Sequence, residues 1–211
     1  KLIVATDEPE RMRLAALRTR CVENGIEAED IDGAELARRE PHIRGLAAVF
    51  IPSTGIVDYV QIAQTMAAKI SAGGGEIVLN AEIVTIREEI DSVILVTPDQ
   101  EVRARNVVVC AGVMADRLAR MCGLAADFRI VPFRGEYYSL PEKLNGIVNH
   151  LIYPVPDPKF PFLGVHFTRL IHGGIAAGTH AVLAFAHAGY KWTTFNLRDF
   201  AESVCFPGLW K

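Results

Sequence analysis

EIVLNAEIVTIREEIDSVILVTPDQEVRARNVVVCAG, residues 76–112, is the most regular stretch of the chain. Its β-branched runs, with turn chemistry between most of them, read as four strands: Glu76 to Leu79, Glu82 to Arg87, Ser92 to Thr97 and Glu101 to Cys110. Upstream, Ile62, Ala63, Met66, Ala67 and Ile70 recur at helical spacing between Tyr59 and Ser71, and Gly73-Gly74-Gly75 stops that run. Downstream, Ala115 to Cys122 reads as a further helix. A helix, a small meander and a buried strand ending in Cys110-Ala111-Gly112 therefore form one unit.

Outward from this unit the pattern changes on both sides. Leu2 to Thr6 is a short apolar strand, and Asp7-Glu8-Pro9 starts a helix that runs to Asn24-Gly25. Ile31 to Leu36 begins a short second helix, stopped by Pro41. Ala47 to Ile51 is a strand, and Pro52-Ser53-Thr54-Gly55 turns the chain back. Beyond Phe128, Ile130 to Leu140 and Phe162 to Leu170 read as long strands joined by a proline-rich stretch, Tyr153 to Pro161. His172-Gly173-Gly174 makes a hairpin turn into Ile175 to Gly178. Asn196 to Val204 starts another helix. If the flanking segments share a sheet, the fold is α+β with a discontinuous domain.

Composition narrows the function. With 211 residues, 50% of them hydrophobic, the chain can bury a sizeable core. A net charge of −3 exerts no general pull on nucleic acid or anionic membrane, and Val107 to Ala115 is too short to span a bilayer. The opening Lys1-Leu-Ile-Val-Ala-Thr reads as mid-strand, so an internal piece of a longer chain is expected. Cys21, Cys110, Cys122 and Cys205 show no C-x-x-C pair and read as reduced thiols of a cytosolic protein. No metal spacing such as H-E-x-x-H and no G-x-S-x-G elbow occurs.

Four groups could carry chemistry. Gly73-Gly74-Gly75 follows a helix and precedes a strand, the reverse of a dinucleotide cradle, so it reads as a helix stop. Cys110-Ala111-Gly112 combines small residues with a following helix, which suits either a ligand against the backbone or tight packing. Arg134, in the aromatic phrase Pro132 to Tyr138, needs an anion: an internal carboxylate such as Glu136, or a substrate carboxylate. His150 and His166 lie on or near the long strands, and histidine can take a proton from an alcohol near neutral pH. A lone strand histidine is otherwise a hydrogen-bonded packing residue.

Several phrases together resemble the L-2-hydroxyglutarate oxidase and dehydrogenase family, FAD-dependent enzymes built like D-amino acid oxidase. They are Phe50 to Asp58, Pro132 to Tyr137, Asn149 to Asp157, Phe160 to Thr168 and Ala181 to Phe185. The resemblance implies a substrate domain formed by residues 1–58 and 126–211, with a mixed or antiparallel sheet. Between them, residues 59–125 would be an interleaved segment of an α/β FAD-binding domain. It also implies FAD as cofactor, near Ile83, Cys110, Ala111 and Gly112, and oxidation of L-2-hydroxyglutarate to 2-oxoglutarate. Arg134 and Tyr153 would bind the substrate, His166 or His150 would act as base, and no metal is implied. The implied setting is the cytoplasm or the periphery of the inner membrane with a quinone, and a homo-oligomer is open. One phrase departs: before Ala181 the family usually reads Gly-Pro-Asn, whereas this chain has Gly178-Thr179-His180. The departure bears on the substrate more than on membership. Glycerol 3-phosphate or an amine as substrate, and a dicarboxylate-binding module without redox chemistry, are the competing readings.

Overall fold

Leu2–Ala5 is apolar and buried at all four positions, which demands neighbours at both edges and cover on both faces. The computed structural model, which describes residues 1–124, 128–160 and 162–210, supplies both. In chain order the elements are β1 (Leu2–Ala5), α1 (Glu8–Glu23), β2 (Glu29–Asp32), α2 (Gly33–Arg39), β3 (Ala47–Phe50), α3 (Tyr59–Ala72), β4 (Thr85–Glu88), β5 (Val93–Val96) and β6 (Glu101–Ala104). There follow α4 (Ala115–Met121), β7 (Phe133–Ser139), β8 (Ile152–Pro154), β9 (His166–Arg169), β10 (Ile175–Leu183) and α5 (Leu197–Val204). They divide into two units, residues 1–60 with 135–182 and residues 61–134 with 183–211. The boundary expected between residues 125 and 126 lies outside the described residues, as do Pro161 and Lys211. Residues 183–211 group with the middle of the chain.

The first unit is built on a mixed seven-stranded sheet of order β2-β3-β1-β8-β9-β10-β7. β1 pairs antiparallel with β3 and parallel with β8, Leu2 standing opposite Ile152. One face buries Leu2, Val4, Ile31, Leu36 and Ile152, with Phe50 and Phe167 packed against them. The other buries Ile3, Ala5, Leu14 and Val155, with Tyr153 at the margin. Helix α1 covers this second face through Leu14. It starts where the Asp7 carboxylate accepts from the Glu10 N–H at 2.7 Å, which satisfies one of the free donors of the first turn.

Two local readings are corrected here. Ile31 belongs to β2, because residues 29–32 pair with β3; the helix begins only at Gly33, with the Asp32 carboxylate accepting from the Glu35 N–H at 2.8 Å. Tyr153-Pro154, read as part of a connector, lies in β8. A proline there supplies no donor, yet β1 still fixes the register.

In the second unit β4, β5 and β6 form an antiparallel meander, Ile86 opposite Leu95 and Leu95 opposite Val102. The expected strand at Glu76 to Leu79 and the continuation of the last strand to Cys110 are absent. Val78 is 52% and Val108 86% exposed, and neither run has a ladder partner among the described residues. High β-propensity does not make a strand unless a neighbour takes up its N–H and C=O groups. Helices α4 and α5 are tied by Arg117, whose Nη2 donates to Asp199 at 2.5 Å and to Glu202 at 3.0 Å. Phe185, Phe195 and Phe200 pack edge-on or tilted, with ring centroids 5.5 to 6.2 Å apart.

Candidate active site

His166 opens β9 and is only 4% exposed. Its Nδ1 lies 3.0 Å from the Gly164 carbonyl oxygen, which can only accept, so Nδ1 carries the proton in the neutral ring. Nε2 is then left with a lone pair. It faces the Tyr137 hydroxyl at 3.3 Å, and that hydroxyl stands 2.6 Å from Oγ1 of Thr179. The Tyr153 ring stacks on the imidazole at a centroid distance of 4.2 Å, and Nζ of Lys1 lies 4.0 Å from the centre of the Tyr153 ring. Burial holds the Lys1 ammonium below its ordinary pKa.

Tight backbone packing brings Tyr137 to this point. A Cβ at Gly178 would stand 2.7 Å from both the Glu136 carbonyl oxygen and the Tyr137 ring, so only glycine lets β10 run this close to β7. Beside the cluster, Tyr153 also lines a cleft of about 490 Å³ together with Lys1, Ile56, Thr168, Arg169 and His172. Arg169 is partly committed already, donating to the Val148 carbonyl at 3.1 Å.

His150, the other candidate base, is held differently. Its Nδ1 is 2.6 Å from Oε1 of Glu40, a carboxylate with no solvent exposure that also accepts from the backbone N–H groups of Asn149 and His150. Phe50 meets the His150 ring edge-on. Phe50 packs with the core on one face of the sheet and Tyr153 with the core on the other. His150 and His166 therefore stand on opposite sides of it.

The remaining predicted residues are in the second unit. Arg134 is half-buried, its Nη1 3.4 Å from the Gly189 carbonyl oxygen and its guanidinium 5.2 Å from the centre of the Trp192 ring. Ile83 is half-buried, just ahead of β4. Cys110 is exposed, and Gly112 has φ +51°. A Cβ at Gly112 would meet nothing within 4 Å, so Cys110-Ala111-Gly112 offers open backbone on which an extended ligand can lie.

Sequence reasoning missed Glu40, Tyr137, Thr179 and Lys1. Tyr137 and Thr179 did stand in phrases already singled out. Glu40, a charged residue before a proline, gave no signal of its burial. Among the described residues no group of His, Cys, Asp and Glu could hold a metal, and no helix is long and apolar enough to cross a membrane.

The sheet that carries the Thr179–Tyr137–His166 contacts lies in a chain that matches flavin-dependent oxidoreductases. The chain belongs to the FAD dependent oxidoreductase family, whose model matches residues 1–208. Over 210 residues it is 47% identical to an L-2-hydroxyglutarate dehydrogenase of Escherichia coli, covering 99% of this chain and 50% of that protein. The mitochondrial L-2-hydroxyglutarate dehydrogenase of Homo sapiens is 40% identical over 224 residues, covering 100% of this chain and 48% of that protein. The chain thus spans about half the length of the curated relatives it matches. In fold it is similar to glycine oxidase from Geobacillus kaustophilus, with a TM-score of 0.70 at 20% identity over 86% of this chain and 47% of that one.

Proposed function

We infer that the complete protein oxidises L-2-hydroxyglutarate to 2-oxoglutarate, and that this chain supplies most of its substrate side. The observation that carries the reading is His166, whose Nδ1 is held at the Gly164 carbonyl oxygen and whose Nε2 is thereby left as the nitrogen that can take up the proton a 2-hydroxyl group must lose. Its family membership and its likeness to L-2-hydroxyglutarate dehydrogenases support the substrate assignment. Bound FAD supplies the acceptor for the hydride from C2. Ile83, Cys110, Ala111 and Gly112 would touch the cofactor. Arg134 would hold a carboxylate, stiffened by Trp192, and Tyr153 would fix the imidazole plane while closing one side of the cleft.

His150 fits a structural role better, because its ring serves to complete the contacts of Glu40. Four free cysteines support a reducing compartment. Peripheral attachment at the inner membrane with a quinone acceptor, and self-association through the exposed apolar runs at 77–79 and 108–109, belong to the same proposal.

Anaerobic bleaching of the flavin in the complete enzyme tests this reading. L-2-hydroxyglutarate should bleach it far faster than glycerol 3-phosphate, glycine or sarcosine. Equal or faster bleaching by any of the three would assign a different substrate.

A further inference from the structure

We propose that Tyr137 is a catalytic residue, receiving the substrate's hydroxyl proton and passing its own to His166, with Thr179 as the residue that positions it. The inference rests on the oxidation assigned above and concerns the path of its proton. His166 is 4% exposed, roofed by the Tyr153 ring on one side and occupied at Nδ1 by Gly164, so a substrate hydroxyl cannot reach Nε2 directly. The Tyr137 hydroxyl stands before that nitrogen at 3.3 Å, on a side chain 49% exposed. This hydroxyl thus meets the buried acceptor from a half-exposed residue.

The hydrogen-bond inventory sets the direction. A tyrosine hydroxyl has one proton and two lone pairs. Thr179 Oγ1, at 2.6 Å, donates into one lone pair, which leaves the Tyr137 proton to point at Nε2 of His166. The second lone pair is open to the substrate. In the reaction the O–H bond of the substrate breaks and its proton binds the Tyr137 oxygen, while the Tyr137 proton forms the N–H bond at Nε2. The C2–H electron pair leaves as hydride to the oxidised flavin, and the C–O bond becomes a carbonyl. The products are a 2-oxo acid, reduced flavin and an imidazolium at His166, with Tyr137 unchanged. Lys1 seats its Nζ on the Tyr153 ring, 4.0 Å from its centre, at the back of this stack.

The test uses the complete flavoenzyme and single-turnover bleaching by L-2-hydroxyglutarate across pH. Tyr137→Phe should slow bleaching by about a hundredfold or more, the usual scale for losing acid–base catalysis, and should abolish the acidic limb of the pH profile. Thr179→Val should slow it by about fivefold, with Thr179→Ser restoring the rate, as expected for one hydrogen bond. Independently of activity, the ¹⁵N resonance of His166 Nε2 should move in Tyr137→Phe while Nδ1 stays protonated. Wild-type rate and pH profile in Tyr137→Phe, or an unmoved Nε2 resonance, would overturn the route even though wild type oxidises the substrate. Failure of wild type to respond to any 2-hydroxy acid would instead overturn the assigned function.

Discussion

Replacing Glu40 should weaken the first unit by more than any exposed charge could. Its carboxylate has no solvent exposure. Oε1 accepts from the His150 N–H at 2.7 Å and faces His150 Nδ1 at 2.6 Å, and both oxygens accept from the Asn149 N–H at 2.9 Å. Glu40→Ala would strand two backbone donors, each costing about 1–3 kcal/mol when left unmade, while the partly exposed His150 ring can turn to water. A loss of about 3–5 kcal/mol is expected, in line with removing one partner from a buried charged contact. Glu40→Gln keeps an acceptor where Oε1 sits and should cost about 1 kcal/mol, the charge-assisted share of those bonds. Urea unfolding followed by the fluorescence of the first unit's tyrosines measures both. An Ala variant within about 0.5 kcal/mol of wild type would show that water replaces the carboxylate, and would refute the claim that Glu40 anchors the entry to β8.

Gly178→Ala should cost about 1–3 kcal/mol in denaturant midpoint and should separate Tyr137 from Thr179, because the new methyl would stand 2.7 Å from backbone and ring atoms. Arg134→Ala in the complete enzyme should lower kcat/KM for L-2-hydroxyglutarate by about tenfold or more; unchanged kinetics would make Arg134 a packing residue beside Trp192. At Asp199 burial opposes ionisation, but the His187 N–H and the Arg117 guanidinium outweigh it and hold the carboxyl below its ordinary pKa. A depressed folded-state pKa means stability present above the unfolded value of about 4 and lost as pH falls through the folded one. Acid titration of the second unit should therefore show a component that Asp199→Asn removes, and an unaltered acid limb in that variant would contradict it.

Elements with their own local period were legible in the sequence. Helix α3 and β5 fall within a residue of where apolar spacing and turn residues put them, and β6 begins where expected but ends early. What was not legible depends on partners distant in the chain. Residues 107–109 have the composition of a buried strand but no ladder neighbour among the described residues, while Ile152–Pro154 has poor strand composition and is held by β1. The same division holds at the site. Histidine chemistry and a lone arginine announce themselves, but Tyr137 matters only because Gly178 lets it approach Thr179 and His166, and no spacing rule reports such an approach.

The parallel pairing of β1 with β8 also dictates an order of events during synthesis. β1 leaves the ribosome before its partners do, and β3 can pair with one of its edges almost at once. Its other edge stays open while roughly a hundred more residues are made, until Ile152–Pro154 emerges. Through that interval an apolar strand edge is available to any extended chain nearby. The nascent protein is thus most vulnerable to mispairing while residues 51–151 are being translated, and a holdase that releases only after β8 has appeared would protect it best.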